Sequence, residues 1–145
     1  MRKDLGVKPY LYPQPVLVIG TYNEDGSANA MVAAWGSVSD MNQIAIYVAN
    51  SHKTMDNIKA RKFFTVSMAT EKDIKAIDYL GIASGHKVAD KFAKSGLTAD
   101  ESILDENGKV DVKKLNPICY DTANHGYYSI GDRIGNAFSD GKSIK

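Results

Sequence analysis

The sequence predicts a mainly β, α+β domain: antiparallel strands with a few short helices outside them. Three observations carry this. Val16, Leu17, Val18 and Ile19 open a β-rich run through Tyr22 that stops at Asn23-Glu24-Asp25-Gly26, a turn signal whose glycine accepts positive φ. Ile44, Ile46 and Val48 alternate with Ala45, Tyr47 and Ala49, the period of a strand with one more apolar face. Phe63-Phe64-Thr65-Val66-Ser67-Met68 is a strand by composition.

The remaining elements follow in order. Residues 1–14 are polar until Tyr10, Tyr12, Pro13 and Pro15 impose an extended lead into the first strand. Residues 28–35 form the second strand of the hairpin, and Ser39-Asp40-Met41-Asn42 is a turn. Thr54 is placed to cap a helix over residues 55–61, with Met55, Ile58 and Ala60 facing inward. Thr70 with Asp73 resembles a capping box, with Asp in place of Glu, opening a helix that buries Ile74 and Ile77. A further helix over 88–94 stops at Ser95-Gly96, with Leu97 as the hydrophobic contact beyond. After Leu97 the strand signal fades. Asp105-Glu106-Asn107-Gly108 is a turn, 111–115 a short helical or irregular piece, 117–120 extended, and the remainder a Gly- and Tyr-rich loop with a basic tail.

Bulk properties exclude several classes. With 145 residues the chain is one domain able to bury a core. Eighteen Lys and Arg against 17 Asp and Glu give no electrostatic footprint for nucleic acid. The single cysteine, Cys119, excludes an internal disulfide, reads as structural and fits a reducing compartment. Without a signal-like h-region or a membrane-length apolar run, the expectation is a soluble cytoplasmic protein with no membrane partner. His52, His86 and His125 lack ligand spacing, so no metal site is expected.

One stretch carries ligand chemistry. In Asn29-Ala30-Met31-Val32-Ala33-Ala34-Trp35, small Ala33 and Ala34 admit a flat ligand close to the backbone, and Trp35 offers an aromatic wall. Ser51-His52-Lys53-Thr54 then brings hydroxyls, an imidazole and an ammonium to a helix start, where free N–H groups and the positive dipole end favour a phosphate. An apolar slot and an anion clamp one strand apart suit a flat ring system with a phosphate tail. Flavin mononucleotide (FMN) has that shape.

Pro15-Val16-Leu17-Val18-Ile19-Gly20-Thr21, Asn29-Ala30-Met31 with Trp35, and Ser51-His52-Lys53-Thr54 resemble the flavin reductase-like, FMN-binding split-barrel family, and within it the flavoredoxins. Ala83-Ser84-Gly85-His86-Lys87, Lys91-Phe92 and Gly126-Tyr127-Tyr128-Ser129-Ile130-Gly131 match it too. The resemblance implies an antiparallel split β-barrel and a homodimer whose two FMN sites take residues from both chains. It implies cofactor contacts from Asn29, Ala30, Met31, Ala33, Ala34, Trp35, Ser51, His52, Lys53 and Thr54, joined by Ser67, Ser84, Gly85 and Lys87. The implied activity is hydride transfer from NADH or NADPH through flavin, or flavoredoxin-like electron transfer between redox proteins without small-molecule turnover. A third reading is a flavin-free dimeric scaffold. The chain departs from the family where Leu97-Thr98-Ala99 runs directly into Asp100. Three or four family strands, on the order of forty residues, are missing near 97–101, as a deletion or an omitted stretch, and a barrel without them would expose strand edges.

Plainer roles compete at each position. Trp35 suits a core or a dimer interface equally well. Thr54 can be a helix cap alone. Ser84, Gly85, His86 and Lys87 can be a solvated connection, and Tyr127 and Tyr128 surface aromatics or a cover supplied by a partner subunit.

Overall fold

The computed structural model describes residues 2–99 and 112–134. In chain order they form β1 (Gln14–Pro15), β2 (Leu17–Tyr22), β3 (Ala28–Ala33), β4 (Gly36–Asp40) and β5 (Gln43–Ile46). Then come α1 (Lys53–Arg61), β6 (Thr65–Met68), a 3-10 turn (Glu71–Asp73), α2 (Ile74–Ile82), α3 (Lys91–Ser95) and α4 (Val112–Leu115). β7 (Ile118–Asp121) and β8 (Gly126–Ser129) complete the described chain.

The predicted hairpin is the centre. β2 and β3 pair antiparallel from Leu17↔Ala33 to Tyr22↔Ala28, and β2 takes β6 on its other side. The order β3-β2-β6 leaves β3 and β6 as edges among the described strands. Gly26 supplies the turn with φ +83°, as expected. A second sheet, β1-β7-β8, ties Pro15 to Cys119, and β4–β5 forms a separate two-stranded hairpin.

Alternation along the hairpin separates two apolar clusters. Leu17, Ile19, Met31 and Ala33 form one, with Ile46, Val48 and Val66 against it. On the opposite face, Val18 and Val32 pack against Val16, Ala69, Ile77 and Ile118. Ile77 is buried on α2 and Ile74 half-buried, as predicted.

Several expectations need correction. α1 begins at Lys53 with His52 as N-cap and no side-chain cap bond, so Thr54 lies inside the helix. The face that α1 buries is polar, Thr54 and Asn57, rather than Met55, Ile58 and Ala60. Thr70 gives its hydroxyl to the Asp73 carboxylate at 2.7 Å instead of capping the backbone. Phe63 and Phe64 precede β6 and are exposed. The third helix is only Lys91–Ser95, ended as predicted by Gly96 at φ +75°. β8 runs through what reads as a C-terminal loop. Leu97 to Ala99 are irregular; Asp100, Glu101 and the turn at 105–108 lie outside the described residues. Cys119 is buried, and its thiol lies 3.5 Å from the Tyr128 carbonyl.

Candidate functional site

The outer edge of β3 borders a cavity of about 380 Å³, within the ~300–1,000 Å³ of ligand clefts. Met31, Val32, Ala33, Ala34 and Trp35 line it consecutively. Successive strand side chains point to opposite faces, so a consecutive run lines a cavity along the strand's edge, where backbone groups lack ladder partners. Tyr47 closes one side, its N–H donating to the Trp35 carbonyl at 2.8 Å. Trp35 is 56 % exposed, so it is not a core residue.

The start of α1 forms the cationic end. His52, Lys53 and Thr54 all line the cavity. The first helical bonds run from the Met55 and Asp56 N–H groups to the His52 carbonyl, so the Lys53 and Thr54 N–H groups lie ahead of them. Thr54 is 2 % exposed and its hydroxyl accepts from the Asn29 amide at 3.1 Å. Asn29 also donates to Thr21 at 3.0 Å, and Asn57 donates to Thr21 and Asn23 at 3.1 and 3.0 Å. This network seats the helix start against the hairpin.

Ser84 and Gly85 bring the third wall. A Cβ on Gly85 would lie 3.0 Å from the Lys53 Cβ and 2.9 Å from Asn29 Oδ1, so only glycine lets the loop come this close. His86 reaches Asp56 at 3.4 Å across the same gap. Lys91, 4 % exposed, lies behind the loop and lines the cavity too, and burial holds its pKa below the usual lysine range.

Asp78, Tyr120 and Tyr127 line the cavity as well. The Tyr127 hydroxyl donates to Asp78 at 3.2 Å; burial, then the Asp78 carboxylate, holds its pKa above the ordinary tyrosine value. Tyr120 lies 2.7 Å from His125 Nδ1, and the two tyrosine rings are 5.6 Å apart.

The cavity therefore unites Met31, Ala33, Ala34, Trp35, His52, Lys53, Thr54, Ser84 and Gly85. Asn29, Ala30 and Ser67 instead line a second hollow of about 660 Å³, although Asn29 supports the first through Thr54. Ser51 and Lys87 are exposed and line neither. Sequence reasoning missed Tyr47, Asp78, Tyr120 and the placement of Lys91 in the wall. A signal for the β7–β8 hairpin was present: Asp121 accepts from the Ala123 and Asn124 N–H groups, the local turn chemistry of aspartate.

The family model of the flavin reductase-like domain matches residues 10–119. Among solved structures, the flavoredoxin of Desulfovibrio vulgaris (Miyazaki F) is similar at 28 % identity and TM-score 0.87, over 97 % of this chain and 100 % of that one. Flavoredoxin from Methanosarcina acetivorans is similar in fold at 24 % identity and TM-score 0.82, over 99 % and 100 % of the two chains. A protein with a split barrel domain from Shewanella frigidimarina shares the fold at 14 % identity and TM-score 0.68, over 85 % and 84 %. No curated protein matches the sequence. With most of its length matched and its antiparallel strands arranged as in these split barrels, the chain belongs to the flavin reductase-like domain family.

Proposed function

We propose that this chain binds FMN in the β3-edge cavity and passes electrons through it. The observation that carries the reading is one cavity joining an apolar strand edge, at Met31 to Trp35, to the cationic start of α1. Ala33 and Ala34 admit the ring system to backbone distance, and the edge groups of β3, unpaired among the described residues, meet its polar rim. Trp35 covers one side. Lys53, the Thr54 N–H and Ser84 take the phosphate, a charge-assisted contact to a dianion. A bound flavin supplies the redox chemistry, and the chain supplies orientation and electrostatics.

The electron donor is NADH, NADPH or a redox protein, and the 28 %-identical flavoredoxin supports the carrier reading alongside the reductase one. NADH or NADPH oxidation with free flavin separates the two; a purified protein that binds no flavin leaves only the scaffold. We place the protein in the cytoplasm; no helix of the described residues is long and apolar enough to cross a membrane. A homodimer is supported by the exposed apolar side chains of Trp35, Val38, Ile44 and Tyr47, which run from the cavity mouth along the β4–β5 hairpin. Among the described residues the outer edge of β6 is unpaired beside exposed Phe63, Phe64 and Met68, which fits family strands missing near 97–101, whether by deletion or as an omitted stretch.

The test is Lys53→Ala. FMN affinity should fall by about tenfold or more, the scale of a hydrogen bond to a charged group, while riboflavin affinity holds. Equal losses in a fluorescence titration would remove the clamp. Sedimentation run alongside should show FMN favouring the dimer on dilution; a monomer binding FMN stoichiometrically refutes the shared site.

A further inference from the structure

Asp78 is the one carboxylate among the described residues that line the β3-edge cavity. Its place in the wall follows from α2. Gly81 brings that helix so close to β3 that a Cβ on it would lie 3.7 Å from the Val32 side chain. Asp78 stands three residues earlier, one turn back on the same helix face, so it borders the Met31 to Trp35 run. The cationic start of α1 meets the other end of α2. Beyond Ala83, a Cβ on Gly85 would lie 3.0 Å from the Lys53 Cβ. Asp78 and Ala83 are five residues apart, about 7.5 Å along the axis. The carboxylate therefore belongs to the apolar slot and not to the anion clamp.

Nothing on the protein neutralises it. The Tyr127 hydroxyl, from β8, donates to Asp78 Oδ1 at 3.2 Å and holds the carboxylate in the wall. Among the described residues the ion pairs are His86–Asp56 and Lys94–Asp90. Lys91 gives its ammonium to the Leu80 and Ala83 carbonyls, at 3.1 and 2.9 Å, rather than to Asp78. An asparagine would accept the same Tyr127 bond, so packing does not explain the charge.

Charge balance in the filled cavity does. The FMN phosphate is matched by Lys53, Lys91 and the helix start, which leaves Asp78 as the uncompensated charge. Reduction then adds a second negative charge. Two electrons from the nicotinamide or redox-protein donor, with one proton from water, turn the neutral ring system into a monoanion. Like charges in one cavity repel, and the exposure of Asp78 to solvent weakens that repulsion without removing it.

We propose that Asp78 sets the reduction potential of the site: its carboxylate, held beside the apolar slot by Tyr127, disfavours the reduced flavin anion and makes the bound cofactor a stronger reductant. This rests on the FMN reading above and deepens it.

The experiment uses the full chain loaded with FMN, its midpoint potential read by anaerobic titration in wild type, Asp78→Asn and Asp78→Glu. In Asp78→Asn, binding of reduced FMN should gain about threefold to tenfold relative to oxidised FMN. By linkage that raises the midpoint by about 15 to 30 mV for a two-electron couple. Asp78→Glu keeps the charge and should stay near the native midpoint. An unchanged or lowered midpoint in Asp78→Asn overturns the proposal, and so does an equal rise in Asp78→Glu. Should Asp78→Asn not fold, Asp78→Ser removes the same charge, and an unchanged midpoint there overturns it equally. Wild-type protein that binds no flavin defeats the underlying reading instead, before any variant is made.

Discussion

Helices α1 and α2 dock on opposite faces of one hairpin by different physics. α2 presses Ile77 into an apolar cluster with Val16, Ala69 and Ile118, where contact is non-directional and tolerates small shifts. α1 is held at its start by hydrogen bonds among Thr21, Asn29, Thr54 and Asn57, each with a preferred distance and angle. The difference teaches which helix can serve as a gauge. A helix start that must present N–H groups to a ligand is best set by directional contacts, while the apolar side supplies bulk stability.

Paired variants break or sharpen that contrast. Ile77→Ala, at 3 % exposure, should cost ~2–5 kcal/mol in denaturant unfolding and leave FMN affinity of the folded protein nearly unchanged. Asn29→Ala leaves the Thr21 and Thr54 hydroxyls short of a donor, so its stability cost should be smaller, ~1–3 kcal/mol. Its effect on FMN affinity should nonetheless be the larger of the two. If affinity follows stability in both variants, the two faces do not differ in role.

The smallest stability effect is expected at Trp35, whose exposure puts Trp35→Phe within about 0.5 kcal/mol of the native protein. Flavin affinity or reduction potential should shift instead, because a smaller ring covers less of the isoalloxazine face. As the only tryptophan, Trp35 should also lose fluorescence when flavin binds. Early melting with native affinity and potential would deny it the wall role.

Locally encoded features were legible. The 16–22 run and its Gly26 turn specify the β2–β3 hairpin, because strand period and turn chemistry both act within a few residues. Gly96 ends α3 for the same reason. Lys53 at a helix start was visible as anion chemistry, and the cavity includes it. The work of Thr54 was not visible, because its partner Asn29 lies 25 residues earlier and competes with the capping role. Nor was the β1–β7 pairing, which joins residues about a hundred positions apart.

The slot itself shows where the division falls. Sequence determined its small, apolar composition and the cations that follow it, since these are properties of residue type. Reading residues 29–35 as one surface overlooked where the cavity ends along the strand: Asn29 and Ala30 line the second hollow, and the first begins at Met31. Only tertiary structure decided that the remaining run is the edge of a strand, because an edge exists by virtue of what fails to pair beside it. It likewise decided that Lys91 stands in the wall, since a lysine's burial depends on the helix end that receives it, and no local pattern encodes that meeting.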